Sequence, residues 1–456
     1  MFTDISDRIL PNPPARHYGV AAADVDGDGR VEFVVAGFGG PNRVLKWVNG
    51  SLRDVTPPDL ADPDRQALGL AAADIDGDGR EELYVLNTDT YAGPKQHADR
   101  LFDALPDGRW VDLFGEPANR GVRNLAAGRS VAAIDRRGTG RYGFVVANYG
   151  RPLRLYEATP DGPLADVAPA LGVNLACGGR GLLVAPLTSD RPDLFLTAEH
   201  GPNLLFRNTG VGTFAEVADV YGLADAGEHG RGVTAVDADG DGRLDVCWGN
   251  WEGPHRLMVR RADGTYRDRA TPAMALPSTV RTVIAADFDN DGRDELFFNN
   301  IGEPNRLFRQ TAPGEWALLD AGPAAEPDLL GTGAAVADID DDGRLELLVA
   351  HGESAAQPLT LYKGPANGGH LRVRPLTRFG APARGAVVRL VGGGRTRVRA
   401  IDGGSGYLCQ MEPAAHFGLG DRTDLECVSV VWPDGSGLTI DRPDPGGTLY
   451  VRYPGG

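Results

Sequence analysis

A seven-bladed β-propeller followed by a small second β-domain is the fold that this 456-residue sequence predicts, and three observations carry it. A nine-residue acidic motif returns at nearly constant spacing, the stretches between its copies read as short strands, and the period stops well before the chain ends. The motif Asp24-Val25-Asp26-Gly27-Asp28-Gly29-Arg30-Val31-Glu32 recurs from Asp74, Asp237, Asp287 and Asp338, and degenerate copies begin at Asp135 and near Pro186. The steps between these seven anchors are 50, 61, 51, 51, 50 and 51 residues. A fixed period of this length marks a repeat architecture, in which each unit buries its faces against its neighbours.

Each unit supplies four short strands. A small-residue strand precedes the acidic loop, as in Gly232-Val233-Thr234-Ala235-Val236, and an apolar strand follows it, as in Phe33-Val34-Val35-Ala36 and Leu296-Phe297-Phe298. A turn rich in Gly, Pro and Asn leads to a third strand (Arg306-Leu307-Phe308) and then a fourth (Thr213-Phe214-Ala215-Glu216-Val217). Four strands per unit with turn residues between them is the pattern of a propeller blade. The seventh unit stops after its third strand near Tyr362, whereas the chain starts with an orphan strand, Phe2-Thr3-Asp4-Ile5. The N-terminal strand is therefore expected to complete blade seven and cover an open edge.

The acidic loops place carboxylates at positions 1, 3, 5 and 9, with glycine at position 6. They comprise Asp24, Asp26, Asp28 and Glu32; Asp74, Asp76, Asp78 and Glu82; Asp237, Asp239, Asp241 and Asp245; Asp287, Asp289, Asp291 and Glu295; and Asp338, Asp340, Asp342 and Glu346. Position 7 is Arg30, Arg80, Arg243, Arg293 or Arg344, each offering a backbone carbonyl. Ca²⁺ takes six to eight oxygens in a flexible shell, and such a loop can supply them. An EF-hand needs Glu at position 12 and flanking helices; here strands flank the loop. The alternative is an acidic β-turn without an ion, which leaves several carboxylates crowded together unneutralised. About five structural Ca²⁺ ions are expected, and none at the degenerate copies.

These loops resemble the FG-GAP (VCBS) repeats of integrin-like propellers over residues 1–365. The resemblance implies calcium cages between the first two strands of a blade, mainly structural, with ligands on the opposite face. Residues 366–456 read as a separate β-domain with alternating strands such as His370–Arg374 and Val428–Trp432. Its strings Gly403-Gly404-Ser405-Gly406-Tyr407, His416-Phe417-Gly418-Leu419-Gly420 and Trp432-Pro433-Asp434-Gly435 resemble the ASPIC/UnbV domain. That module accompanies an FG-GAP propeller in the cartilage acidic protein family and its bacterial relatives, some of which serve natural-product pathways such as enediyne polyketide assembly. His416 reads as a packing residue before a catalytic one. Cys409 and Cys427 fit free thiols or a pair.

Six residues before each anchor stand Tyr18, Leu68, Arg129, Arg180, Arg231, Arg281 and Thr332. Four successive arginines near the start of the innermost strand are expected to converge on the face opposite the calcium loops, where guanidiniums bind carboxylate or phosphate. Loops on that face offer Asp89, Tyr91, Tyr149, Glu199, His200, Trp251, Glu252, Asn300, Glu303, His351 and Glu353, with His229 two residues before Arg231. Two readings stay open: a ligand site, or arginines that pair with a neighbouring blade's carboxylates and hold the ring together. The ten extra residues of the second unit, within Thr88–Arg109, read as a lid or a docking loop.

The chain has 63 acidic and 46 basic residues, a formal net charge of -17. That balance, with no basic binding motif, speaks against nucleic acid, and no apolar run predicts a membrane span. The start of the chain has no signal-peptide pattern, so a cytoplasmic setting is expected, or an extracellular one if a leader precedes it. Partners are then a small molecule or a protein on the arginine face. Three functions fit: a calcium-binding propeller in natural-product biosynthesis that binds an intermediate or partner, a cofactor-free enzyme with His and Glu as acid and base, and an extracellular interaction protein.

Overall fold

The computed structural model describes residues 1–455, in which seven antiparallel blades stand around one axis. The innermost strands are His17–Ala23, Ala67–Ala73, Gly128–Ile134, Ala176–Ala185, Gly230–Val236, Val280–Ala286 and Gly331–Ala337. They are rich in Gly and Ala because the blades crowd together towards the axis. The second strands carry the large side chains: Phe33, Tyr84, Phe144, Phe195, Trp248 and Phe297 are all buried between neighbouring blades. Each contributes about 1.5–3 kcal/mol by leaving water.

Blade seven closes as the sequence predicts. Thr3 and Asp4 pair with Lys363 and Tyr362, and Phe2 packs edge-on against Phe288 with ring centroids 4.9 Å apart. Blades three and four depart from the simple pattern. The second strand of blade three, Gly143–Pro152, runs on past its sheet and pairs Tyr149 with Gly178, so the two blades share one sheet.

The C-terminal strands form a sandwich. Gly369–Pro375 lies between Ala415–Gly420 and Thr448–Val451, and a four-stranded sheet of Arg395–Ala400, Val387–Gly392, Leu425–Val431 and Gly437–Asp441 faces it across Val373, Leu390, Phe417 and Val430. This sandwich sits on the acidic-loop face of the ring. Arg372 meets Asp338 at 3.1 Å and Asp341 at 2.9 Å, Arg399 meets Asp294, and the Gly418 N–H donates to Asp287 Oδ2 at 3.0 Å.

One segment leaves the sandwich altogether. From Asp402 to Glu412 the chain enters the central channel and bonds to the innermost strands. Ala133 N–H donates to Gly403 O at 2.6 Å, Gly406 and Val233 exchange two bonds of 2.6 and 2.9 Å, and Gln410 N–H reaches Val20 O at 3.0 Å. The glycines fit the space: a Cβ on Gly403 would lie 2.5 Å from Ala133 O, and one on Gly404 would lie 2.6 Å from the Ala132 Cβ. The string Gly403-Gly404-Ser405-Gly406-Tyr407 is thus a channel plug, where the sequence reading had it only as the mark of a separate domain. At its base Arg384, 1% exposed, binds Glu81 Oε1 at 2.5 Å and Asp402 O at 2.8 Å.

Candidate functional site

Each intact acidic loop is held by hydrogen bonds from its own backbone N–H groups to its carboxylates. The first Asp accepts from the N–H of the glycine five residues on, at 2.8 Å from Gly29, 3.0 Å from Gly79, 3.1 Å from Gly242, 2.9 Å from Gly292 and 3.0 Å from Gly343. The ninth residue accepts from the backbone N–H at position 2, as Glu32 does from Val25 at 2.8 Å and Asp245 from Ala238 at 2.8 Å. The remaining oxygens point inward. Asp24, Asp26 and Glu32 bring one ligand atom each to within 4.8 Å of one another, as do Asp74, Asp76 and Asp78; Asp237, Asp239 and Asp245; Asp287, Asp289 and Asp291; and Asp338, Asp340 and Glu346.

The donor sets fit a hard cation. Asp237 Oδ1, Asp287 Oδ1 and Asp340 Oδ1 are buried without a hydrogen-bond donor, and a buried unpaired carboxylate oxygen is costly unless a cation meets it. Burial pushes Asp74 and Asp237 up to about 7, and Asp245 and Asp287 up to about 8. Side chains on the third strand answer part of this charge. Lys46 Nζ reaches Asp26, Asp28 (2.7 Å) and Glu32 (3.3 Å); Arg309 reaches Asp289 (2.7 Å) and Asp291 (2.6 Å); Lys363 reaches Asp340 and Glu346, both at 2.6 Å. In blade two that place holds Asp103 opposite Glu82, a fifth carboxylate at the loop. Arg80, Arg243 and Arg344 turn their side chains back onto Asp78, Asp241 and Asp342, whereas Arg30 reaches Asp341 at 3.2 Å. Each Arg at position 7, Arg293 included, gives its backbone N–H to the carboxylate at position 5, for example Arg293 to Asp291 at 2.9 Å.

On the opposite face the arginines converge. Arg129, Arg180, Arg231 and Arg281 line a cavity of about 500 Å³ with Tyr91, Trp251, Glu199 and Glu353, and Tyr407 of the plug lies at its base. Glu199 accepts from both Arg180 and Arg231, the latter at 2.6 Å, and so ties blade four to blade five. Burial pushes the Glu199 carboxyl up, but the two guanidiniums outweigh it and hold it at about 2. Arg281 meets Glu353 of blade seven at 3.2 Å. Arg129 gives its terminal nitrogens to the Gly128 and Tyr91 carbonyls, and its guanidinium lies 4.9 Å from the Tyr91 ring centroid and 5.2 Å from that of Tyr149. Both readings of the arginines therefore hold in part: Arg180 and Arg231 cross-link blades, yet the same side chains wall a cavity.

The extra length of the second unit folds over this mouth. Its tip carries Tyr91, whose hydroxyl accepts from Arg180 at 2.9 Å, and the buried Lys95–Asp99 pair fixes its return. Other expected site residues lie elsewhere. His200 and His229 are exposed and pack on each other with centroids 5.5 Å apart, and Glu252 is exposed on a turn; none lines the cavity. His416 is buried, bonds Asn290 Oδ1 at 2.6 Å and stacks on His370, so it packs the interface. The four cysteines are free thiols. No helix among the described residues is long and apolar enough to cross a membrane.

Sequence reasoning missed Tyr407 as a cavity residue, because it lies beyond the last repeat, outside the period, and nothing in the sequence shows that it threads the ring. It also missed the domain contacts at position 8 of the loops. That position is apolar in Val31, Leu244 and Leu345 but acidic in Glu81 and Asp294, which meet Arg384 and Arg399.

Comparison with known proteins agrees with this anatomy. Residues 377–456 match the family model "ASPIC and UnbV", and residues 24–85, 189–248, 237–298 and 287–349 match that of an FG-GAP-like repeat. Cartilage acidic protein 1 of Xenopus tropicalis is 46% identical over 500 residues, covering 100% of this chain and 77% of its own length; the Homo sapiens protein is 45% identical, with 100% and 75% covered. Among solved structures, the BP39L lectin from Burkholderia pseudomallei shares the fold at a TM-score of 0.52 and 14% identity, covering 77% of this chain and 99% of its own.

Proposed function

Since the chain belongs to the FG-GAP and ASPIC/UnbV family of cartilage acidic protein 1, we propose that it is a calcium-stabilised recognition protein whose ligand enters the arginine-lined cavity. The observation that carries this is the cavity itself: four guanidiniums, two aromatic walls and a base supplied by the other domain, in a volume that suits a small molecule. Calcium is the fitting ion for the acidic loops, because it alone among common hard cations accepts many oxygens in an irregular shell. One ion in each of five loops would also bridge the ring to the sandwich, which rests on the same loops.

Recognition is favoured over catalysis by the state of the acid–base groups. A carboxylate held at about 2 by two guanidiniums is a poor general base at neutral pH, and His200 and His229 stand outside the cavity. An extracellular setting suits this reading, since millimolar calcium fills even weak oxygen cages and the relatives are named for cartilage. The natural-product reading has only the resemblance to bacterial relatives behind it. Mass spectrometry of small molecules released from the purified protein tests the proposal, with Trp251→Ala as the comparison. A ligand retained by the wild type and lost from the variant supports it, and a cavity that never retains or binds one overturns it. Metal analysis should find about five calcium ions per chain; seven or none would sink that assignment.

A further inference from the structure

The cavity has more positive charge than its own carboxylates answer, and the excess falls to Arg129 and Arg281, the two ends of the arginine arc. Glu199 serves Arg180 and Arg231 together, so two guanidiniums share one carboxylate. Arg281 has a single carboxylate contact, to a Glu353 side chain that is 40% exposed and also accepts from Tyr18. Arg129 has no carboxylate at all, only backbone carbonyls and the faces of two tyrosines. The Nε groups of Arg231 and Arg281 find no acceptor. Asp89, the third acidic residue of the wall, already accepts from the Gln96 and His97 N–H groups.

From this imbalance we infer that the ligand is a small organic anion, whose carboxylate or sulfate group lies against Arg281 and Arg129 above Tyr407 while its flat body packs on Trp251 or Tyr91. The inference rests on the recognition reading and names the chemistry of its ligand. Planar guanidiniums suit a two-oxygen anion through paired N–H donors. Trp251 is already the surface on which Arg231 and Arg281 lie, with centroid distances of 5.2 and 4.8 Å, so a ring placed there extends an existing stack. Tyr407 reports the same field. Burial pushes its hydroxyl up, yet Arg180, Arg281, Arg129 and Arg231 together bring it down to about 8. The overhang of Tyr91 and the cavity's size favour a free small molecule over a protein surface.

The test uses fluorine NMR of the calcium-loaded full chain with 4-fluorobenzoate and its neutral counterpart 4-fluorobenzamide. The benzoate should bind about tenfold or more tightly than the amide, and Arg281→Ala should remove that preference while circular dichroism stays unchanged. Arg281→Lys, which keeps the charge and loses the fork, should restore part of it and guards against a folding defect. Bound benzoate should also suppress the tyrosinate absorbance that titrates near pH 8, and Tyr407→Phe should abolish that signal. Equal binding of benzoate and benzamide would overturn the anion inference and leave the recognition reading in place. Binding of neither probe would overturn the inference as well, with the search for a released ligand then deciding the recognition reading by itself.

Discussion

Five blades of this ring turn their first corner around four carboxylates, and two do it without them. In blade three the loop Asp135-Arg136-Arg137-Gly138-Thr139-Gly140 keeps the Asp135 bonds to the N–H groups of Thr139 (3.0 Å) and Gly140 (2.6 Å). Next to it Arg136, almost fully buried, forks onto Glu157 at 2.5 and 2.8 Å and donates to Gly212 O at 2.6 Å. Glu157 stands on the third strand, at the position that holds Lys46, Arg309 or Lys363 in blades one, six and seven. Blade four has a shortened loop, and Asp193 satisfies itself with the N–H groups of Leu187, Thr188 and Asn208. One turn can thus be closed by a bound cation, by an ion pair to the third strand or by backbone N–H groups alone. Only the first makes stability depend on a solute.

Chelation should break this comparison most visibly. Each site held at a hundred times its Kd contributes about 2.7 kcal/mol to folding, so EGTA should lower the calorimetric melting temperature steeply; an unchanged melt would mean that the five loops are bare acidic turns. The pH profile sharpens the point. In calcium-free protein burial holds the innermost loop carboxylates above their unfolded value near 3.8, at about 7 for Asp74 and Asp338 and about 8 for Asp245 and Asp287. The native state then holds more protons than the unfolded one between about pH 4 and pH 8, so stability without calcium should fall as pH rises through that window. Calcium displaces those protons, and the stabilisation it gives should grow over the same range. Melting curves with and without the ion, collected across it, check both signs.

A smaller effect is expected in blade three. Arg136→Ala strands a mostly buried Glu157 and should cost about 3 kcal/mol, measured by denaturant unfolding, with the same loss in calcium and in chelator. A loss that vanished in chelator would show that the Arg136–Glu157 pair depends on the calcium loops. Smallest of all, Lys46→Met removes a competitor at the first loop and should raise calcium affinity there by about 1 kcal/mol, read by calorimetric titration against the wild type. Lower affinity would show that Lys46 organises the cage.

The repeat made much of this legible in the sequence. The spacing of the seven anchors yields the blade number, the truncated seventh unit yields the closure by Phe2–Asp4, and the position six residues before each anchor brings out all four cavity arginines. What the alignment could not show was pairing between elements outside the period. The three lysines illustrate it: Lys46 and Lys363 enter acidic loops and Lys95 is buried against Asp99, none of which the repeat records. His200, His229 and Glu252 mark the opposite failure. His200 and Glu252 adjoin Glu199 and Trp251, and His229 stands two residues before Arg231, yet none lines the cavity, because a loop's sequence does not set the direction of each side chain.

The sequence by itself determined the ring, its acidic corners and the arc of arginines, since each is a local pattern repeated at a fixed period and periodicity survives without coordinates. Only the tertiary structure decided that residues 402–412 thread the channel, that Tyr407 underlies the arginines, and that Glu199 and Glu353 leave part of their charge unanswered. Those facts depend on contacts between segments hundreds of residues apart. Such contacts are chosen by shape and charge in the assembled ring, and no period in the chain records them.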